Sequence, residues 1–377
     1  MNDLPAEIRV VRAEGSPHER GRQIGRALGD LIERSIGFYI AYLERRGIAS
    51  RDLQDFLAPY FFAAEDRLPA YADMVKAMAE GAMVPVWEPF AVNAFDELEA
   101  LLISDADQTS FLQRKAGQAV PVRASRSPLD RYTSFALAGP GYTLLGHNEQ
   151  WLAGDQGNVA VVVEIPEDGT PVVAAPSVVC CLPAVGMNEF GGAQGIQSLV
   201  AADDGVGVPR VMVSRHSLEA SDRMDAVRRA SLEGRAGGYG HVFAFAGGDT
   251  FIVETTAERA SLLERPGPHT NHYLDPELAD LAPEPSEGST ARYERILTLL
   301  DERDPTTVLE VMDILADHGS TPQSICLHPD ESLGDEAAAV MFSMVCDLEE
   351  RRMWVAPGNP CSKPFEEIDL ADAIPRP

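Results

Sequence analysis

Lysine is almost missing from this chain of 377 residues: Lys76, Lys115 and Lys363 are the only three, and every other basic side chain is an arginine or a histidine. The 31 Lys+Arg face 59 Asp+Glu, a formal net charge of −28. A surface of that sign repels phosphate backbones and anionic headgroups, which excludes nucleic acid and an anionic membrane as partners. Cysteine is scarce too. Cys180, Cys181, Cys326, Cys346 and Cys361 are odd in number, two are adjacent and none forms a C-x-x-C, so neither a disulfide framework nor a spaced zinc motif is indicated. No run approaches the roughly 18 apolar residues that cross a bilayer. The start, Met1 to Glu7, lacks the basic-then-apolar pattern of a leader. These absences lead to the expectation of a cytoplasmic protein without a membrane span. Apolar residues make up 45% of the chain, enough for a sizeable core.

Ser16-Pro17-His18-Glu19 reads as a capping box, with Ser16 as N-cap and Pro17 at the first helical position. Apolar residues at Ile24, Leu28, Leu31, Ile32, Ile36, Tyr39 and Leu43 then predict one long helix. Further helical patterns cover residues 69–82, 86–103, 208–231, 290–302 and 306–317. The first hundred residues therefore read as almost wholly helical. From Thr133 the period changes to two. Residues 133–137, 142–146, 159–165, 171–175, 241–245, 251–254 and 260–264 read as strands, and 339–347 with 352–356 as a hairpin. Helices, then strands, then helices, then strands predict a layered α+β domain rather than a βαβ repeat. The expected organisation is a helical segment over 1–110, a polar, locally basic linker over 111–131, and a sandwich over 132–377. For the linker, a surface connection and a docking segment both remain open.

Single motifs carry little. Gly205-Val-Gly-Val-Pro does not follow a strand as a dinucleotide fingerprint would. His269 and His272 flank Asn271, and His318 and His328 bracket Ser324-Ile325-Cys326, but none has a partner at metal-ligand spacing on one helix. No metal and no cofactor is expected on that basis.

The order of the motifs carries more. Gly15-Ser16-Pro17-His18-Glu19-Arg20-Gly21 is followed by Asn93-Ala94 with Glu97, Thr133-Ser134-Phe135-Ala136, and Leu145-Gly146-His147-Asn148-Glu149-Gln150-Trp151. Gly186-Met187-Asn188, Pro209 with Ser214-Arg215, His269-Thr270-Asn271-His272, Ser289-Thr290-Ala291-Arg292 and Asp317-His318-Gly319 come next. Ser324-Ile325-Cys326 and Ala356-Pro357-Gly358-Asn359-Pro360-Cys361 close the run. The combination resembles the acyl-coenzyme A:6-aminopenicillanic-acid acyltransferase family (the peptidase C45 group) among the N-terminal-nucleophile hydrolases, over nearly the whole chain. The resemblance implies an αββα four-layer sandwich preceded by a helical pro-region. It also implies self-cleavage before a cysteine that attacks an amide or thioester carbonyl, its freed amine serving as base.

The chain departs from that pattern at its centre. Tyr132 stands where the family has its cysteine, and Gln150 stands where many relatives have an aspartate that supports the nucleophile. Asn271 and Arg292 match the family's oxyanion-side asparagine and pocket arginine. Self-cleavage at Arg131–Tyr132 is therefore not expected, and the helical segment should stay attached. Tyr132, Asn271 and Arg292 are the candidate catalytic residues. Thr133, Ser134, Asn148, Glu149 and Gln150 are the candidate substrate contacts. Tyr132 reads equally as a participant, a hydrogen-bond donor or general acid, or as a ring that plugs the nucleophile's place; Thr133 and Ser134 are substitute nucleophiles to weigh. Trp151 is expected in the core, and Cys326 and Cys361 as buried apolar thiols. The implied activity is an acyltransferase or amidohydrolase of small-molecule, specialised metabolism acting on an acyl–amine linkage with altered catalytic residues. An inactive relative that binds a metabolite or a protein partner is the alternative. An acyl-CoA or amino-acid amide would suit such a site, and a homodimer is left open.

Overall fold

The computed structural model describes residues 8–104, 131–264, 267–370 and 373–374. Fourteen strands among them form two sheets: β1 (Arg9–Gly15), β2 (Thr133–Gly139), β3 (Tyr142–Leu152), β4 (Val159–Pro166), β5 (Val173–Val178), β6 (Gly186–Asn188), β7 (Gly192–Leu199), β8 (Gly238–Phe245), β9 (Asp249–Thr255), β10 (Ala260–Leu263), β11 (Gly267–His269), β12 (Ala338–Asp347), β13 (Arg352–Ala356) and β14 (Glu366–Glu367). The eight-stranded sheet runs β1-β4-β5-β6-β7-β8-β9-β10 and the six-stranded sheet β11-β2-β3-β12-β13-β14. Their faces meet where β2 and β3 lie against β7 and β8.

Helices cover both outer faces. Ile296 and Leu299 of helix Glu287–Arg303, with Val311 and Ile314 of helix Val308–Leu315, pack on Phe135, Leu144 and Val345 of the six-stranded sheet. Ala226 and Ala230 of helix Arg223–Ala230 pack on Phe243, Phe251 and Val253 of the other sheet. Helix, sheet, sheet, helix is the expected αββα sandwich. Among the described residues no helix is long and apolar enough to cross a membrane.

The N-terminal segment, read as almost wholly helical, opens with a strand. β1 pairs in parallel with β4, Arg9 opposite Ala160 through Gly15 opposite Pro166, so the segment supplies an edge of the larger sheet. The Ser16 capping box then forms as read, with the Glu19 carboxylate accepting from the Ser16 backbone N–H at 2.9 Å. The long helix is two, Pro17–Ala27 and Gly29–Arg45, broken where Leu28 leaves helical dihedrals. Likewise 208–231 divides into Arg210–Ser217 and Arg223–Ala230, because the Asp222 side chain accepts from Asp225 N and starts a new helix. β6 and β7 lay outside the strand reading; Gly192–Leu199 (GAQGIQSL) carries only one β-branched residue and no clean alternation. Of the expected linker over 111–131, only Arg131 falls inside the described residues.

Buried ion pairs and close packing hold the N-terminal helices on the sandwich. Arg20 meets Glu164 of β4 at 3.0 Å, and the same carboxylate takes Arg215 at 3.2 Å. On helix Phe95–Ser104, Glu97 pairs with Arg210 at 2.9 Å, while Asp96 (2.7 Å) and Glu99 both take Arg131. Asn93 clamps the next layer, donating to Cys180 O at 2.7 Å and accepting from Leu182 N at 2.9 Å. Removing one partner of such a buried pair leaves an uncompensated charge. Helices Pro17–Ala27 and Pro69–Ala82 cross so closely that a Cβ on Gly21 or Gly25 would strike the carbonyl oxygens of Met74 or Met78.

Two outcomes follow for stability. Gly25→Val should cost about 1–3 kcal/mol by forcing those helices apart, read as a lower thermal midpoint of the full chain. Asp155, buried beside Ser35 Oγ (3.0 Å) and Asn158 Nδ2 (2.6 Å), is pushed up to about 7 by desolvation, against 3.8 in the unfolded chain. The folded protein thus keeps a proton that the unfolded chain releases. This contribution is complete below about pH 4 and is lost as pH rises towards 7. Asp155→Asn should therefore gain on the native chain between about pH 5 and pH 7 in urea-unfolding comparisons. A constant difference over that range would contradict the assignment.

Candidate active site

Period-two alternation along β2 and β3 sorts the site into two faces. Thr133, Asn148 and Gln150 point outwards, towards helix Glu287–Arg303 and the loop that follows helix Val308–Leu315. Ser134, His147, Glu149 and Trp151 point inwards, towards the other sheet. In the register, Thr133 lies opposite Asn148 and Ser134 opposite His147.

Arg292, fully buried in the second turn of its helix, organises the outward face. Its guanidinium donates to Tyr132 O (2.7 Å), Thr133 Oγ1 (2.7 Å), Gln150 Oε1 (3.3 Å) and Asn271 Oδ1 (2.9 Å). Asn271 in turn donates from Nδ2 to the carbonyl oxygen of Arg131 and to Ser198 O at 3.1 Å. The helix start fixes that asparagine, since Ser289 Oγ accepts from Asn271 N at 2.8 Å and Thr270 Oγ1 donates to Ser289 O at 3.0 Å. Asn148 and Gln150 bind backbone carbonyls. Asn148 Nδ2 reaches Leu315 O (3.0 Å) and Ile325 O (2.9 Å), and Gln150 Nε2 reaches Ile325 O at 3.1 Å. Tyr132, Asn271, Arg292, Thr133 and Gln150 are thus brought together around the Arg131–Tyr132 peptide. Asn148 is one step further out, holding the neighbouring loop.

Tyr132 itself sits at positive φ (76°), a backbone state that costs an L-residue about 1–3 kcal/mol. Its ring is buried, stacks on His147 with centroids 6.2 Å apart, and meets Tyr239 edge-on at 6.5 Å. The hydroxyl has no hydrogen-bond partner among the described residues, and burial pushes the phenol well above its ordinary range. A phenol held neutral is neither base nor nucleophile. Geometry adds a second obstacle. A Cβ-borne thiol or hydroxyl reaches the preceding carbonyl carbon through a five-membered ring, whereas a para-hydroxyl on a rigid ring cannot fold back to it.

The inward face holds a chain that sequence reasoning only half foresaw. Ser134 Oγ lies 2.8 Å from His147 Nδ1, and His147 Nε2 lies 2.8 Å from Glu149 Oε2. Gln197 Nε2, from β7 across the sandwich, donates to Ser134 Oγ, and Trp151 Nε1 donates to Glu149 Oε1. With Gln197 supplying a proton to its oxygen, the Ser134 hydroxyl turns its own proton to Nδ1. His147 then carries hydrogen on Nε2 and gives it to the carboxylate. His147 was missed as a site residue; its period-two spacing with Glu149, opposite Ser134, was the available signal. Trp151 is in the core as expected. Thr133 faces Arg292 rather than this chain.

Beside Tyr132 lies a small apolar cavity, lined also by Glu149, Cys181, Leu182, Ile196 and Phe342. Cys181 is the thiol in that cavity, but burial raises it far above its usual range and its sulfur lies 3.6 Å from Val92 O. Cys361 corrects its buried reading: it is exposed, and Cys326, His318 and His328 gather around it. Four residues on loops escape a test based on helical spacing.

Two solved structures are similar at a distance. Penicillin V acylase from Agrobacterium tumefaciens is 13% identical, the match covering 63% of this chain and 86% of that one at a TM-score of 0.45. A variant of conjugated bile acid hydrolase from Clostridium perfringens is 13% identical, covering 64% and 93% at a TM-score of 0.46. Neither bears on the layer arrangement, which stands on the strand pairings alone. No curated protein matches the chain. Residues 137–362, more than half of the sequence, match the model of the acyl-coenzyme A:6-aminopenicillanic acid acyl-transferase family, and the chain belongs to that family.

Proposed function

We propose that this protein acts on the acyl–amine linkage of a small molecule, by hydrolysis or acyl transfer, as one uncleaved chain with altered catalytic residues. The observation that carries the reading is the Ser134–His147–Glu149 chain: a hydroxyl on a base whose other nitrogen is held by a carboxylate. Ser134 Oγ attacks the acyl carbonyl while its proton passes to His147 Nδ1, and Glu149 holds the imidazolium that forms. Collapse expels the amine or thiol, which takes that proton; water or an acceptor amine then releases the acyl group from the serine. Asn271, oriented by Arg292, holds the Arg131 carbonyl at the start of β2. Tyr132 fills the place of the family's thiol and shields His147 from solvent. An acyl-CoA or an amino-acid amide suits the site, and a role in specialised metabolism fits the family.

One contact favours a second reading. The Asn271 amide is already engaged by the chain's own Arg131 carbonyl, and Ser134 is wholly buried, so a catalytically silent protein that binds a metabolite or a partner is the competing account.

The purified chain should show an intact mass of 40.8 kDa. Fragments 1–131 and 132–377 would refute the absence of self-cleavage. Thermal shift with acyl-CoAs, amino-acid amides and β-lactams identifies ligands, and mass spectrometry of the hits measures turnover. Ser134→Ala should lower kcat by about 100-fold or more, while Tyr132→Phe should leave it within about twofold. Ligands that bind without turnover support the silent account. Tyr132→Cys combined with Gln150→Asp should restore cleavage before residue 132, because Asn271 already grips the carbonyl to be attacked.

A further inference from the structure

Four side chains outside the site just described converge at the opposite side of the loop that Asn148 and Gln150 hold. His318 follows helix Val308–Leu315, Cys326 and His328 stand at the far end of the same loop, and Cys361 comes from the segment after β13. One ligand atom from each lies within 4.8 Å of all the others. His328 Nε2 is 3.1 Å from His318 Nε2, 3.2 Å from Cys361 Sγ and 3.8 Å from Cys326 Sγ. An imidazole nitrogen has one lone pair or one hydrogen, so it cannot make a hydrogen bond to each of three such neighbours. The spacing is instead that of atoms arranged around a shared centre. Zinc bonds of about 2.0–2.1 Å to nitrogen and about 2.3 Å to sulfur, placed tetrahedrally, set ligand atoms about 3.3–3.8 Å apart.

We propose that His318, Cys326, His328 and Cys361 form a structural site for a tetrahedral, thiophilic divalent cation, Zn2+ by its donor set. Two imidazoles and two thiolates suit that ion, and four protein ligands leave no position for substrate. The surrounding groups hold the donors in place. Asn359 donates from Nδ2 to Leu327 O at 2.8 Å and lies 3.5 Å from Cys326 Sγ. The Cys326 backbone N–H donates to Asp317 O at 3.0 Å, and Ser324 Oγ donates to Cys326 O at 2.8 Å. Asp317, the nearby carboxylate on the same loop, is engaged by Arg295 at 2.8 and 2.7 Å, so it does not compete as a ligand. The metal ties the C-terminal segment to the loop whose Ile325 carbonyl receives both Asn148 and Gln150. Its effect on the active site is through position, not chemistry.

The test uses the full chain purified under reducing conditions. Elemental analysis should find one zinc per chain. After chelation, added Co2+ should bind one to one and give the thiolate-to-cobalt absorption bands of a tetrahedral site. Cys361→Ser and His318→Ala, both at exposed positions, should keep the circular dichroism of the parent yet weaken binding of zinc by about tenfold or more, and Asn359→Ala by about 10–100-fold. Metal removal should also lower the thermal midpoint and speed amide exchange over residues 317–328. A reduced, folded chain that takes up neither zinc nor Co2+ stoichiometrically overturns the site. So does a Cys326–Cys361 disulfide formed in zinc-replete medium, seen as the loss of two hydrogens in intact mass.

Discussion

A buried guanidinium is the constraint around which the candidate site is built. Arg292 has left water, and its hydrogens need oxygens at fixed positions: the Tyr132 carbonyl, the Thr133 hydroxyl and the amide oxygens of Gln150 and Asn271. A rigid fork of this kind is satisfied in one arrangement only. It sets the start of β2 against β3 and aims the asparagine at the peptide bond before Tyr132. The positive φ at Tyr132 persists because these contacts over-determine it.

The pleat of β2 and β3 then divides labour. Residues on the outward face answer to Arg292 and the loop after helix Val308–Leu315; residues on the inward face make a separate hydroxyl–imidazole–carboxylate chain sealed by the second sheet. The Ser134 hydroxyl, facing His147 across the register, is the arrangement on which the proposed activity rests.

Much of the motif pattern that carried the family resemblance proves to be architectural. Asn93 clamps the turn at Cys180, and Asn188 receives Phe190 N and Gly192 N while donating to Leu218 O and Ala220 O. Glu97 binds Arg210, and Asn359 braces the Cys326 loop. Such polar groups are buried and have to be satisfied, so they tie distant segments together. This is why their order along the chain indicates the fold more firmly than it indicates an activity.

Local physics was legible in the amino-acid order. The Ser16 cap and the change from helical to alternating periodicity at Thr133 each depend on neighbouring residues. What required the folded chain was everything set by pairing across distance. β1 became a sheet edge because β4 offered its backbone, and Gly192–Leu199 became a strand because neighbours on both sides supplied hydrogen bonds that its side chains do not announce. His147 gained a meaning only when register placed it opposite Ser134, and Cys361 only when a loop 33 residues upstream brought His328 to its sulfur. Spacing along a chain encodes which residues share a face; which faces and loops meet is decided by burial and by the satisfaction of polar groups over the whole molecule.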